Sequence, residues 1–216
     1  MRVTSATWIA TLLVAACAAV AIAAWIGLPN GVPINYLGLD GHRHQENSRY
    51  AFGLIPLIAA FVTATLILAP TLGARRGVER AAKPFDMTVI GIAGLLLVVE
   101  VALVGRALDP AFNVMRPAAI ATGVLLLGIG NYLGKARQNA VFGLRTPWTL
   151  ADATVWDKTH RFAGRGMVLG GLVLMALGFL LHDGNALGVS IAVCAALPLL
   201  AAIVRSHSLY RTLQRG

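Results

Sequence analysis

Apolar runs of about twenty residues recur along the chain between clusters of charge, and a helix of that length covers the roughly 30 Å hydrocarbon core of a bilayer. Six such runs fit, at 7–28, 51–72, 86–105, 114–133, 164–181 and 186–204. Two connections are long, 29–50 and 134–163, whereas Asp109-Pro110 and His182-Asp183-Gly184-Asn185 have the composition of tight turns. The pattern predicts an all-α fold, a polytopic membrane helix bundle with about six transmembrane helices. No Ser/Pro-rich linker, low-complexity tract or convincing internal repeat divides the chain, so one membrane domain is expected over 1–216. Within it, 1–85 reads as a helix pair around the loop 29–50, and 86–216 as a four-helix region around the loop 134–163.

Composition agrees with this reading. The chain is 57% hydrophobic and 12% charged, against about 25% charged in a soluble domain, and its mean hydropathy is +0.74. Lys and Arg number 18 against 9 Asp and Glu, a balance that suggests nucleic acid in a soluble protein. In a membrane protein it suggests cytoplasmic loops facing anionic lipid, so no direct nucleic-acid contact is expected. Six spans place fourteen of the cations on one side and only Arg43, Arg49, Arg106 and Arg116 on the other. The basic side is the cytoplasmic one, which predicts both termini inside. Cys17 and Cys194 lie in apolar runs and read as packing residues. Val14-Ala15-Ala16-Cys17 has the form of a lipoprotein cleavage box, but the chain stays apolar from Ala18 to Leu28, which argues against cleavage.

Glu100 is the one acidic residue well inside a predicted span. In a hairpin centred on Leu108 it would share its depth with Arg116, and an intramembrane charge pair is the favoured reading over a proton or ion site. His42 and His44, between Asp40 and Glu46, form an H-x-H pattern on a solvated loop; a polar surface is the better account, and no metal is expected. Pro29 and Pro33 predict a stiff exit from the first span. In the loop 134–163, Thr149 followed by Asp152 reads as the capping box of a short interfacial helix, in which Asp157 precedes Arg161 by four, the favourable order for an ion pair. Trp148 and Trp156 suit the headgroup level. His160, Lys158, Asp157 and Arg145 have no spacing typical of a nucleophile, paired-carboxylate or metal site, so neither an enzyme nor a cofactor is expected. Gly130 with Gly134, and Gly166 with Gly170, are small-xxx-small pairs that predict close helix packing inside one subunit, with homo-oligomerisation as the alternative.

Three segments in this region carry a resemblance. Gly130-Asn131-Tyr132, with Lys135 and Asn139 after it, precedes Gly143-Leu144-Arg145-Thr146-Pro147-Trp148-Thr149-Leu150. Then comes Val155-Trp156-Asp157-Lys158-Thr159-His160-Arg161, ending at Gly164. In content and order they resemble the SdpI family of bacterial membrane proteins, whose hallmarks are G-N-Y, G-x-R-T-P-W-T-L and V-W-x-K-T-H-R-x-x-G. Upstream, Leu28-Pro29-Asn30-Gly31-Val32-Pro33 and Gly41 resemble the outer loop of a domain often found ahead of it, although Asn35 stands where that domain has a His. The resemblance implies a multi-pass protein of the bacterial cytoplasmic membrane that protects the cell from a secreted, membrane-active toxin peptide. It also implies a receptor role in which a cytoplasmic repressor is held at the membrane. The motif residues are then the candidate binding set, and a small transporter or channel is the alternative.

Overall fold

The computed structural model describes residues 5–28, 30–37, 43–68, 82–139 and 142–214. The six apolar runs fall on helices. In chain order the helices are α1 (Ser5–Gly27), α2 (Ala51–Leu68), α3 (Ala82–Leu108), α4 (Met115–Leu133), the five-residue α5 (Pro147–Ala151), α6 (Ala153–Leu180) and α7 (Gly184–Gln214). The end of the second run, and Arg2, Arg75, Arg76, Arg80 and Arg215, lie outside the described residues. Helices α1, α2, α3, α6 and α7 are each long and apolar enough to cross a membrane. The 19-residue α4 packs against α3, α6 and α7. The chain is an all-α membrane bundle, as its hydropathy pattern predicts.

Large apolar side chains such as Trp8, Leu12, Phe61, Leu169 and Val204 point outward, while the buried positions of α1 are Ala6, Ala10, Cys17, Ala21 and Ala24. That inversion suits a bilayer, where apolar surface gains nothing by leaving lipid and small residues let backbones approach. Two packing groups join α1, α2 and α3, one around Ala10, Phe85 and Val89 and one around Ala21, Ala24 and Phe52. Another joins α4, α6 and α7 around Leu126, Leu133, Met167, Leu174 and Leu187. The closest approach is between α4 and α6. A Cβ on Gly164 would lie 2.6 Å from the Gly130 carbonyl oxygen, and one on Gly171 would lie 2.6 Å from that of Gly123. These glycines are seven apart on each helix, close to two turns, so they share a face. Gly166 and Gly170 serve a different neighbour: would-be Cβ atoms there meet Pro198 at 3.0 Å and the Cys194 carbonyl at 2.9 Å, both on α7.

The loop 29–50 is more ordered than an irregular exit from the membrane. Strands β1 (Val32–Leu37) and β2 (Arg43–Ser48) pair antiparallel, with Val32 opposite Ser48 and Leu37 opposite Arg43. Gly31 opens the ribbon at φ +70°, where a Cβ would lie 2.5 Å from the Ser48 carbonyl carbon. Asp40 and His42 lie outside the described residues. At this end of the bundle three arginines bind backbone carbonyls. Arg49 donates to the Trp25 carbonyl in the last turn of α1, and its guanidinium sits 5.1 Å from the centre of the Trp25 ring. Arg106 donates to the Pro110 carbonyl in the turn after α3. Arg116 donates to the Gly178 and Phe179 carbonyls, at 3.2 and 3.0 Å, in the last turn of α6. The last carbonyls of a helix have no partner within it and attract cations.

The pairing of Glu100 with Arg116 is therefore corrected. The turn between α3 and α4 runs on to Val114 instead of centring on Leu108, which puts Arg116 in the first turn of α4. Glu100 lies eight residues before the end of α3, about 12 Å along the helix. It is fully buried, and neither carboxylate oxygen has a hydrogen-bond partner among the described residues.

The packing yields a direct test. Gly171→Val should destabilise the bundle by about 1–3 kcal/mol through overpacking, whereas Gly188→Ala, with nothing within 4 Å of its would-be Cβ, should change little. Thermal unfolding in detergent reads both, and an unchanged Gly171→Val protein would mean that the α4 and α6 backbones are not in contact.

Candidate functional site

The sequence-predicted site residues gather where the chain passes from α4 through α5 into α6. Beyond the α4 terminus, Gln138 Nε2 donates to the Thr149 and Leu150 carbonyls at 2.8 and 2.9 Å, closing the loop onto α5. Asn139 is buried; its Nδ2 donates to the Arg137 carbonyl at 2.8 Å and its Oδ1 accepts from the Phe142 N–H at 2.7 Å. Gly143 then turns at φ +104°. A Cβ there would also lie 2.3 Å from His160 Nε2, so both backbone and space require glycine.

Thr146 caps α5. Its hydroxyl accepts from the Thr149 N–H at 3.2 Å, and Thr149 Oγ1 accepts from the Thr146 N–H at 3.0 Å. The fully buried Thr149 hydroxyl donates to the Leu144 carbonyl at 2.7 Å. Thr149 therefore sits inside the first turn, not at the N-cap as the sequence reading has it. Pro147 at the first helical position, a site that favours proline, is the signal that selects Thr146. Asp152 caps the next helix instead, accepting from the Thr154 and Val155 N–H groups at 2.6 and 2.9 Å. Residues 153–163 form no separate interfacial helix. They are the first three turns of α6, which continues unbroken to Leu180.

His160 and Trp156 hold the loop to α6. Both are fully buried and stack at 3.9 Å between ring centres. Trp156 Nε1 donates to the Ala136 carbonyl at 2.8 Å. His160 Nε2 accepts from the Leu144 N–H at 3.0 Å, and Nδ1, 2.9 Å from the Trp156 carbonyl, carries the proton. Those two bonds require the neutral ring, because a proton on Nε2 would face the Leu144 N–H. Ser206 and His207 of α7 complete the support: Ser206 Oγ lies 3.3 Å from Thr146 Oγ1, and the His207 ring lies 4.6 Å from that of Trp148. Sequence reasoning missed these two, together with Gln138 and Asp152 as a cap, because a polar residue near a helix end carries no local mark of a distant partner.

The motif divides into two sets. Asn139, Thr149, Trp156, Thr159, His160 and Gly164 are buried; of these Asn139, Thr149, Trp156 and His160, with Gly143, Thr146 and Pro147, build the loop, whereas Gly164 packs on Gly130. Asn131, Lys135, Arg145, Lys158 and Arg161 are exposed, and Lys135 Nζ lies 5.1 Å from the half-buried Tyr132 ring. Among the described residues no three His, Cys, Asp or Glu side chains cluster as metal ligands. Loss of the clamp should free the loop: His160→Ala should cost about 2–3 kcal/mol, from two buried hydrogen bonds and a cavity, and speed tryptic cleavage after Arg145. Gly143→Ala should be less damaging in the His160→Ala background than alone, since the imidazole it strikes is gone. Equal costs in both backgrounds would sink the proposed clamp.

Comparison with known proteins places this same region. Residues 135–206 match the SdpI/YfhL protein family. The chain is 31% identical over 119 residues to Immunity protein SdpI of Bacillus subtilis (strain 168), an alignment covering 55% of this chain and 56% of the relative. The chain thus spans about half the length of the curated relative it matches. No solved structure matches. The segment 135–206 that matches the SdpI/YfhL protein family holds most of the loop, its His160 clamp and most of α7.

Proposed function

We propose that this is an immunity protein that protects the bacterium carrying it from a secreted, membrane-active toxin peptide, acting by binding and not by catalysis. The likeness to Immunity protein SdpI carries the reading. The loop geometry supports it, because His160, the most enzyme-like side chain of the motif, is buried and committed to the loop's own hydrogen bonds. Protection needs no reaction. It requires only that the toxin favour this protein over its target, which differential affinity supplies.

In this reading both termini are cytoplasmic, and the toxin meets the hairpin end of the bundle. There Tyr50 is 81% exposed and edges onto Trp25 at 5.6 Å between ring centres, beside the exposed Ile26 and Ile34. The opposite end presents Arg145 on the loop and Lys158 and Arg161 on the first turns of α6, a surface suited to a soluble repressor. A receptor role would require toxin and repressor to favour the same conformation of the bundle.

Survival of a toxin-sensitive bacterium challenged with an SDP-type peptide tests the proposal. The wild-type chain should protect; an Arg145→Ala variant at equal membrane level should lose protection if the loop takes part, and keep it if the hairpin end acts alone. Failure of a correctly inserted wild-type chain to protect would overturn the reading. A small transporter or channel is the second reading, favoured by the buried carboxylate of Glu100, which has no hydrogen-bond partner among the described residues. It expects ion or proton flux in proteoliposomes that Glu100→Gln abolishes while the melting temperature holds; absence of wild-type flux would remove it.

A further inference from the structure

Beside the loop, a groove of about 510 Å³ opens between the loop-proximal ends of α4 and α6. Gly130, Gly134 and Gly164, on the face by which the two helices approach, are among its lining residues. Lys135 on one wall, and Arg161 and Arg165 on the other, stand at its mouth, all three exposed. No described carboxylate makes an ion pair with any of them. Away from the mouth the wall becomes apolar at Val168, Leu169 and Leu172, with Leu169 64% exposed on the outer surface of a membrane bundle. Asn131 adds a polar amide beside the cations.

We infer that this groove is a binding site for one anionic phospholipid, its headgroup phosphate held by Lys135, Arg161 and Arg165 and an acyl chain lying along Val168, Leu169 and Leu172. The two halves of the groove set the chemistry of the occupant. Three uncompensated cations ask for negative charge, and basic pockets between membrane helices recognise anionic headgroups. The exposed leucines lie among acyl chains, so whatever carries the charge must continue into the bilayer. Free phosphate would leave the apolar wall unused, as would an acidic peptide arriving from water. Arginine adds a planar fork of donors matched to phosphate oxygens. The site stands apart from toxin binding, and its test does not depend on the immunity reading.

The test uses the full chain in mild non-ionic detergent, with bound lipid counted by native mass spectrometry during titration with dioleoylphosphatidylglycerol or dioleoylphosphatidylcholine. The expected result is a single retained phosphatidylglycerol, preferred over phosphatidylcholine and not displaced by inorganic phosphate at the same concentration. Lys135→Gln/Arg165→Gln should weaken that binding by roughly fivefold for each cation removed. Arg137→Gln/Arg211→Gln, which removes two exposed cations outside the groove, should leave it unchanged. Should the groove double variant fold poorly, the two single variants at exposed positions give the same readout. Equal retention of both lipids, equal weakening by the two double variants, or displacement by inorganic phosphate alone would each overturn the inference.

Discussion

The backbone contact between α4 and α6 is the constraint on which the rest of this structure depends. In lipid, apolar surface gains little by leaving its surroundings, so two helices approach closely only where side chains are absent. Gly123 and Gly130 against Gly171 and Gly164 provide that absence. The consequences run toward the loop. With the backbones touching at Gly130 and Gly164, Ala136 comes within hydrogen-bond reach of the Trp156 indole, and the chain leaving α4 can fold back onto the first turns of α6. The groove beside the contact is lined by the same glycines, Gly130, Gly134 and Gly164.

The loop illustrates how a dense motif can be mostly scaffold. Thr149, Trp156 and His160 are fully buried, and the polar groups of each are used within the loop or on its neighbours. Buried polar groups are costly unless satisfied, so these residue types are demanded by one another. Gly143 is demanded in turn by His160, whose Nε2 occupies the place of a Cβ. The exposed charge of the motif lies instead on side chains such as Lys135, Lys158 and Arg161. A substitution in the motif can therefore act by two routes, unfolding the loop or removing an exposed charge, and protease sensitivity separates them.

Hydropathy made the helices legible, because a span must be continuously apolar and six segments of this chain are. The similarity to the SdpI family was legible from the ordered segments between Gly130 and Gly164. Register was less so. The competing caps Thr146 and Thr149 both have suitable residues downstream, and only Pro147 at the first helical position distinguishes them. The Glu100 and Arg116 pairing failed because it required the length of the turn after Leu108, and an extra stretch to Val114 displaced Arg116 toward the membrane surface. The ribbon from Val32 to Ser48 was missed because its second strand, Arg-His-Gln-Glu-Asn-Ser, has little of the β-branched and aromatic character that marks strands. Partners far away in sequence, such as Ser206 for Thr146, leave no local trace.

The arginines at the two ends of the bundle answer to different physics. At the hairpin end Arg49, Arg106 and Arg116 each bind a backbone carbonyl close to the end of a helix. Membrane depth makes an unsatisfied carbonyl expensive, and a guanidinium with several donors satisfies it while shielding its own charge. These cations are consumed by the fold. At the loop end Lys135, Arg161 and Arg165 have no such duty, since the loop's carbonyls are met by Gln138, Trp156 and the threonines. Their charge stays available to the surroundings. A simple count of basic residues on each side registers only the excess; the hydrogen bonds distinguish cations that complete the fold from cations left free to face lipid or a partner.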